Sequence, residues 1–186
     1  MNQRSVTTAA LALVAMTFGP LAEPHDPPPG DCGSFTTDVS RELAVMRQPP
    51  IAMTAASSVS DSAPRLSPGK HYAVSLVAQR QVRFAAKPGQ ATRADNPRGG
   101  VFRFEVEKPG IYRVSITSRH WIDVLDGGTV IASVNHHGPG CDLLHKIVEF
   151  DLAAGRPFTL QLSGRDDAIV GLAITTTLTA ATQDRT

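Results

Sequence analysis

Chemistry-bearing side chains gather in one stretch of the chain. His136, His137, Asp142 and His145 fall within ten residues, interleaved with Gly138-Pro139-Gly140 and Cys141. One of the adjacent imidazoles, with Asp142 and His145, makes two nitrogens and a carboxylate, a donor set that suits non-haem Fe(II) or another divalent ion. If Cys141 is a thiolate, Zn or Cu is served as well. Neighbouring residues of an extended chain point to opposite sides, so His136 and His137 both serve only if a loop frees them of that rule. The plainer reading of the same residues is a polar loop over Asn135 to Leu144, turned by Gly-Pro-Gly, with His145 beginning a strand.

Cys32 and Cys141 are the only cysteines. In an oxidising compartment a lone pair usually joins, and the bridge would tie the N-terminal segment to the His-bearing loop. Closing a loop of about 100 residues contributes roughly 4–5 kcal/mol in the chain-entropy picture. An oxidised Cys141 could not ligate a metal. Two further groups have possible uses. Tyr112 with Trp121 could stack on a sugar. Asp123 and Asp126, with Asp166 and Asp167, could give oxygens to Ca²⁺ if their turns meet. Each has a plainer role, core for the lone Trp and turn formation for the aspartates. Ser163-Gly164 does not complete a G-x-S-x-G elbow. Arg41, Arg47, Arg80, Arg83, Arg103 and Arg113 alternate with apolar residues and mark solvent faces.

Short strands must position these groups. Phe102, Phe104 and Val106 alternate, Lys108-Pro109-Gly110 turns the chain, and Tyr112, Val114 and Ile116 alternate again. The same layout recurs with Ile147 or Val148, Phe150 and Leu152, then Ala153-Ala154-Gly155, then Phe158, Leu160 and Leu162. A period of two turns one apolar face inward on each strand. Between these hairpins Trp121 to Asp126 runs into Asp126-Gly127-Gly128, a strong hairpin turn, and Thr129 to Val134 returns. Tyr72, Val74 and Leu76 alternate earlier, Val82 and Phe84 suggest a second short strand, and Ile169 to Thr177 closes the set. With 15 Gly and 14 Pro punctuating the runs, the expectation is an all-β domain. About nine strands at this spacing argue an antiparallel β-sandwich or a barrel. One helix is predicted over Thr37 to Arg47: Thr37 or Asp38 caps it, Val39, Leu43 and Met46 share a face, and Pro49-Pro50 stops it. Ile51 to Pro68 reads as irregular, and Lys87 to Gly100 as a polar, mobile loop.

Residues 1–22 read as a secretory leader, with Arg4 and then an apolar run over Thr8 to Phe18 that is too short to span a bilayer. A stiff Pro-rich linker follows over Glu23 to Gly30. The expected organisation is leader 1–22, linker with helix and irregular segment 23–68, β-sandwich 69–179 and tail 180–186. With 18 Lys+Arg against 17 Asp+Glu and no basic block, nucleic acid is an unsuitable partner. The mature chain, with no second long apolar run, is expected in the periplasm or outside the cell.

The hairpin over Phe102–Ile116, the run Trp121-Ile122-Asp123-Val124-Leu125-Asp126-Gly127-Gly128, and the hairpin Phe150–Gly155 to Phe158–Leu162 resemble the bacterial pre-peptidase C-terminal (PPC) type of β-sandwich. The resemblance covers Gly100 to Thr177. It implies a jelly-roll-like sandwich in an exported protein, usually a non-catalytic accessory or binding module, although no protease domain precedes it here. A fainter resemblance is to small exported proteins labelled homogentisate 1,2-dioxygenase, a non-haem iron enzyme. The G-x5-H-x-H signature of its cupin barrel is absent, and no residue is carried over.

These observations give an ordered expectation. The first is an exported, non-catalytic sandwich without cofactor that binds a protein partner, a glycan or an envelope component. The alternative is a periplasmic metal-binding protein, or a small metal-dependent oxygenase, using Fe(II) or another divalent metal on His136, His137, Asp142 and His145.

Overall fold

The structure, a computed structural model, describes residues 32–60 and 62–177. The leader, the Pro-rich linker over 23–30 and the tail lie outside the described residues. Twelve strands form two sheets that face each other across one apolar core. Sheet A has the order β1 (Ile51–Thr54), β3 (His71–Ser75), β12 (Ile169–Thr176), β6 (Gly110–Ile116), β10 (Lys146–Leu152) and β9 (Asn135–His137). Sheet B has the order β2 (Arg65–Leu66), β5 (Arg98–Glu105), β11 (Pro157–Arg165), β7 (Trp121–Asp126) and β8 (Thr129–Val130), and β4 (Val77–Ala78) also pairs with β5.

The alternation read from sequence builds this core. Tyr72 and Val74, Phe102 and Phe104, Tyr112, Val114 and Ile116, Ile122 and Val124, Phe150 and Leu152, Phe158, Leu160 and Leu162, and Val170, Leu172 and Ile174 all meet there. The choice between Ile147 and Val148 resolves by face. Val148 packs on the sandwich core, and Ile147 points the other way into a smaller cluster with Cys32, Val39 and Leu144. The Asp126-Gly127-Gly128 turn is confirmed, both glycines holding positive φ (53° and 90°), where a Cβ is strained.

The fold class is as expected, an all-β sandwich with one short helix, but several elements differ. Among the described residues there are twelve strands rather than about nine. Residues 51–66, read as irregular, supply β1 and β2, which pair in parallel with β3 and β5 at the sheet edges, so the sandwich is not wholly antiparallel. Strands of two to four residues carry too little alternation to be seen. Val82 and Phe84 form no strand. β4 and a 3-10 turn over Gln79–Gln81 precede them instead. The return from the Gly127-Gly128 turn is only two residues long, because after Ile131, whose N–H still bonds the Val124 carbonyl at 2.8 Å, the chain crosses to sheet A, where the Val134 N–H bonds the Glu149 carbonyl at 2.9 Å. The helix α1 is Ser40–Met46, shorter than 37–47. Its N-cap residue is Val39, which offers no side-chain cap, and not Thr37 or Asp38; Asp38, one residue earlier, accepts at Oδ1 from the Ser40 N–H at 2.9 Å, a bond that holds its carboxyl below the ordinary pKa.

α1 lies on the outer face of sheet A because β12 shows small side chains there. Val45 and Met46 pack on Ala173, and Gly171 sits against Thr117 and Met46 with no room for a Cβ.

Candidate functional site

The His-bearing stretch is half strand and half turn. His136 pairs opposite Val148 and His137 opposite Ile147, so the adjacent rings alternate as extended chain requires. Cys141 and Leu144 close a tight turn through two backbone bonds of 3.0 and 3.1 Å. Cys32 and Cys141 form the expected disulfide, with Cα atoms 5.1 Å apart. His137 is committed: its Nε2 lies 3.1 Å from Glu149 Oε1. His136 and Asp142 are exposed. Among the described residues no group of three or more His, Cys, Asp or Glu is arranged to hold a metal.

Glu149 leads to a network that the sequence did not reveal. Arg113 donates from Nε to Glu149 Oε1 at 2.9 Å and from Nη1 to Glu42 Oε2 at 3.2 Å. It also donates to the Asp38 carbonyl at 2.7 Å and to Thr37 Oγ1 at 3.2 Å, and Thr175 Oγ1 donates to the second oxygen of Glu42. Glu42 is only 1% exposed. Arg113, read as a solvent-face residue, is instead the post on which α1 and the N-terminal segment are seated. One signal was present: Glu42 stands three residues after Val39 and four before Met46, a carboxylate on the apolar face of a short helix.

A second gathering lies where β6 ends and β7 and β10 begin. His120 is fully buried, its Nδ1 2.8 Å from Ser118 Oγ and 3.9 Å from Asp167 Oδ2, while Nε2 has no partner. Burial pushes its pKa down, and Asp167 opposes that shift. Lys146 donates to the His120 carbonyl at 2.9 Å and lies over the Trp121 ring at 5.7 Å. Burial and then Arg165 lower its pKa. His145 is lowered by burial and then by Arg119. His145 thus belongs with these bases, on the far side of the turn from His137.

The suggested ligand surface of Tyr112, Trp121, Asp123 and Asp126 is divided. Tyr112 lies near the start of β6 and Trp121 begins β7, so they stand at opposite ends of the sandwich. The Ser67 N–H donates to the Tyr72 hydroxyl at 2.9 Å, and the Tyr112 hydroxyl donates to the Lys108 carbonyl at 2.9 Å. Around it, between the sheets, opens a cleft of about 800 Å³. Leu66, Phe104, Val106 and Tyr112 form its apolar lining, and Arg65, Arg103, Glu105, Glu107 and Lys108 supply charge. Asp126 pairs with Arg156 at 2.7 Å on the turn beyond. Asp123 is 4% exposed on the outer face of sheet B, and accepts from Trp121 Nε1 at 2.8 Å and from Gln161 Nε2 at 3.2 Å. Gln161, also missed, was hidden because its alternation partners Leu160 and Leu162 drew the reading to the core.

The sequence matches no protein-family model, and no curated protein matches it at a significant level. Among solved structures it is similar to the pre-peptidase C-terminal domain of collagenase from Bacillus anthracis. The two share 14% identity at a TM-score of 0.37, over 68% of this chain and 97% of that one. The likeness expected from the hairpin pattern is therefore found, as a distant one.

Proposed function

We propose that the protein is an exported binding module that takes a polypeptide segment of an envelope or extracellular partner into the Tyr112 cleft. The cleft itself carries the reading: an apolar lining between two sheets with charges of both signs around it. The lining suits an apolar side chain. Arginines, a lysine and glutamates suit the mixed charges and polar backbone of a peptide better than the uncharged hydroxyls of a neutral glycan. The Tyr112 hydroxyl, by its bond to the Lys108 carbonyl, ties two lining residues of the cleft together. The apolar leader-like run over Thr8 to Phe18 and the Cys32–Cys141 disulfide support export.

Isotope-labelled protein titrated with a panel of hexapeptides tests this, with oligosaccharides as the comparison. Peptides should shift the amides of residues 65–69 and 104–110. For an acidic peptide that binds, Lys108→Glu should weaken affinity about tenfold, the equivalent of one lost charge contact. Peptides that leave those amides unmoved would end the reading.

A further inference from the structure

The outer face of sheet B is polar at its centre, and hidden. Asp123, Gln161 and Ser163 are 4, 0 and 1% exposed although they point away from the apolar core. What covers them is the segment 84–97, which carries no strand, bridge or helix. Its tethers are few. Ala86 O accepts from Gln161 Nε2 at 3.0 Å, Thr92 Oγ1 accepts from Gln79 Nε2 at 2.8 Å, and at its C-terminal end Pro97 O accepts from the Gln79 N–H at 2.8 Å. Two more are long: Gly89 N–H to Asp123 Oδ2 at 3.3 Å and Arg93 N–H to Gly164 O at 3.4 Å. Ala85, Lys87, Gly89, Ala91, Thr92 and Arg93 are all exposed.

Beneath this strap two polar atoms have no partner, Gln161 Oε1 and Ser163 Oγ. The Gln161 amide is not reversed, because its Nε2 already meets two acceptors, Ala86 O and Asp123 Oδ2. Its Oε1 therefore needs a donor that the protein does not provide. A sheet face covered only for stability would be apolar, since a buried polar atom without a partner is costly. The groups here have another use. A carboxylate and an amide oxygen accept from hydroxyls, a serine hydroxyl donates or accepts, and an indole gives an amphipathic wall. The single carboxylate is already met by N–H donors, so a neutral ligand fits better than a charged one.

We propose that segment 84–97 is a lid and that the Trp121–Asp123–Gln161–Ser163 face beneath it binds a neutral saccharide. This site is separate from the Tyr112 cleft, and neither depends on the other. Opening exchanges Ala86 O and Gly89 N–H for sugar hydroxyls, and gives Gln161 Oε1 and Ser163 Oγ the partners they lack.

Trp121 is the only tryptophan of the chain, so its fluorescence reads this face alone. The probes are glucose, galactose, mannose, N-acetylglucosamine and their disaccharides. At least one should change the emission saturably. Gly89→Ala places a Cβ 2.7 Å from Trp121 Nε1 and 3.0 Å from Asp123 Oδ1. It should raise the closed lid and tighten binding of the same sugar by about threefold, because the competent state becomes more populated. Gln161→Leu should weaken it about tenfold without loss of thermal stability; Ser163→Ala, a smaller change, should weaken it too and stands in if the leucine variant fails to fold. No emission change in either the native protein or Gly89→Ala overturns the proposal. So does binding unaltered in Gln161→Leu and Ser163→Ala, the result of a network that only holds the strap.

Discussion

Arg113 divides its guanidinium between two carboxylates, each nearly out of solvent, and its own side chain is 12% exposed. Replacing it by Met leaves Glu42 and Glu149 buried without the guanidinium. The expected cost is about 3–5 kcal/mol, the penalty of uncompensated buried charge, measured by urea denaturation. His120 sets a different dependence. Its folded pKa is lowered by burial, so the unfolded chain takes up a proton first as pH falls. Stability should therefore be level above about pH 6.5 and decline below it, towards the folded value. His145, shifted the same way, adds to the slope. Melting temperatures from pH 8 to pH 5 measure it. His120→Asn, which keeps a group to meet Ser118, should melt lower throughout but with a shallower fall. Metal content belongs to this scale as well. With His137 held by Glu149 and Cys141 by Cys32, elemental analysis of untagged protein should find no stoichiometric transition metal. At this scale the sequence was least legible. Proximity in the chain put four candidate ligands together, but strand alternation and a tight turn send His137 and His145 to different neighbourhoods. The partners that matter, Glu42, Arg113 and Glu149, are joined only by the sheet register.

At the level of elements, long hairpins were legible and short edge strands were not. β5 to β6 and β10 to β11 have enough alternating Phe, Val, Leu and Ile to fix which face goes inward. β1 and β2 are held by pairing to β3 and β5 rather than by their own pattern, so nothing local announces them. The seat of α1 is a similar case. It depends on Gly171, Ala173 and Thr175 being small on the outward face of β12, which reads in sequence only as a weaker half of an alternation. Gly171→Ala should push against Thr117 and Met46 and cost about 1–3 kcal/mol as overpacking. Hydrogen exchange should show the loss first at the α1 amides of Leu43 and Arg47, which bond back to Val39 and Leu43.

For the whole molecule the Cys32–Cys141 bridge spans 109 residues and fastens the N-terminal segment to the turn after β9. Its removal by Cys32→Ser with Cys141→Ser should cost about 4–5 kcal/mol in the chain-entropy picture. The variant should stay folded in its strands, since the core shared by the two sheets lies elsewhere, with α1 loosened; thermal melts and exchange at α1 together check this. The sheet order has a consequence of another kind. β12, the last strand in the described residues, sits between β3 and β6 in the interior of sheet A, and α1 rests on it. A ribosome or a translocation pore delivers the chain from its N-terminus. Until residues 169–176 emerge, β3 and β6 each present an open edge, and the helix has no floor. Assembly must therefore wait for nearly the whole domain to be released, and during that interval the unpaired edges depend on keeping other chains away.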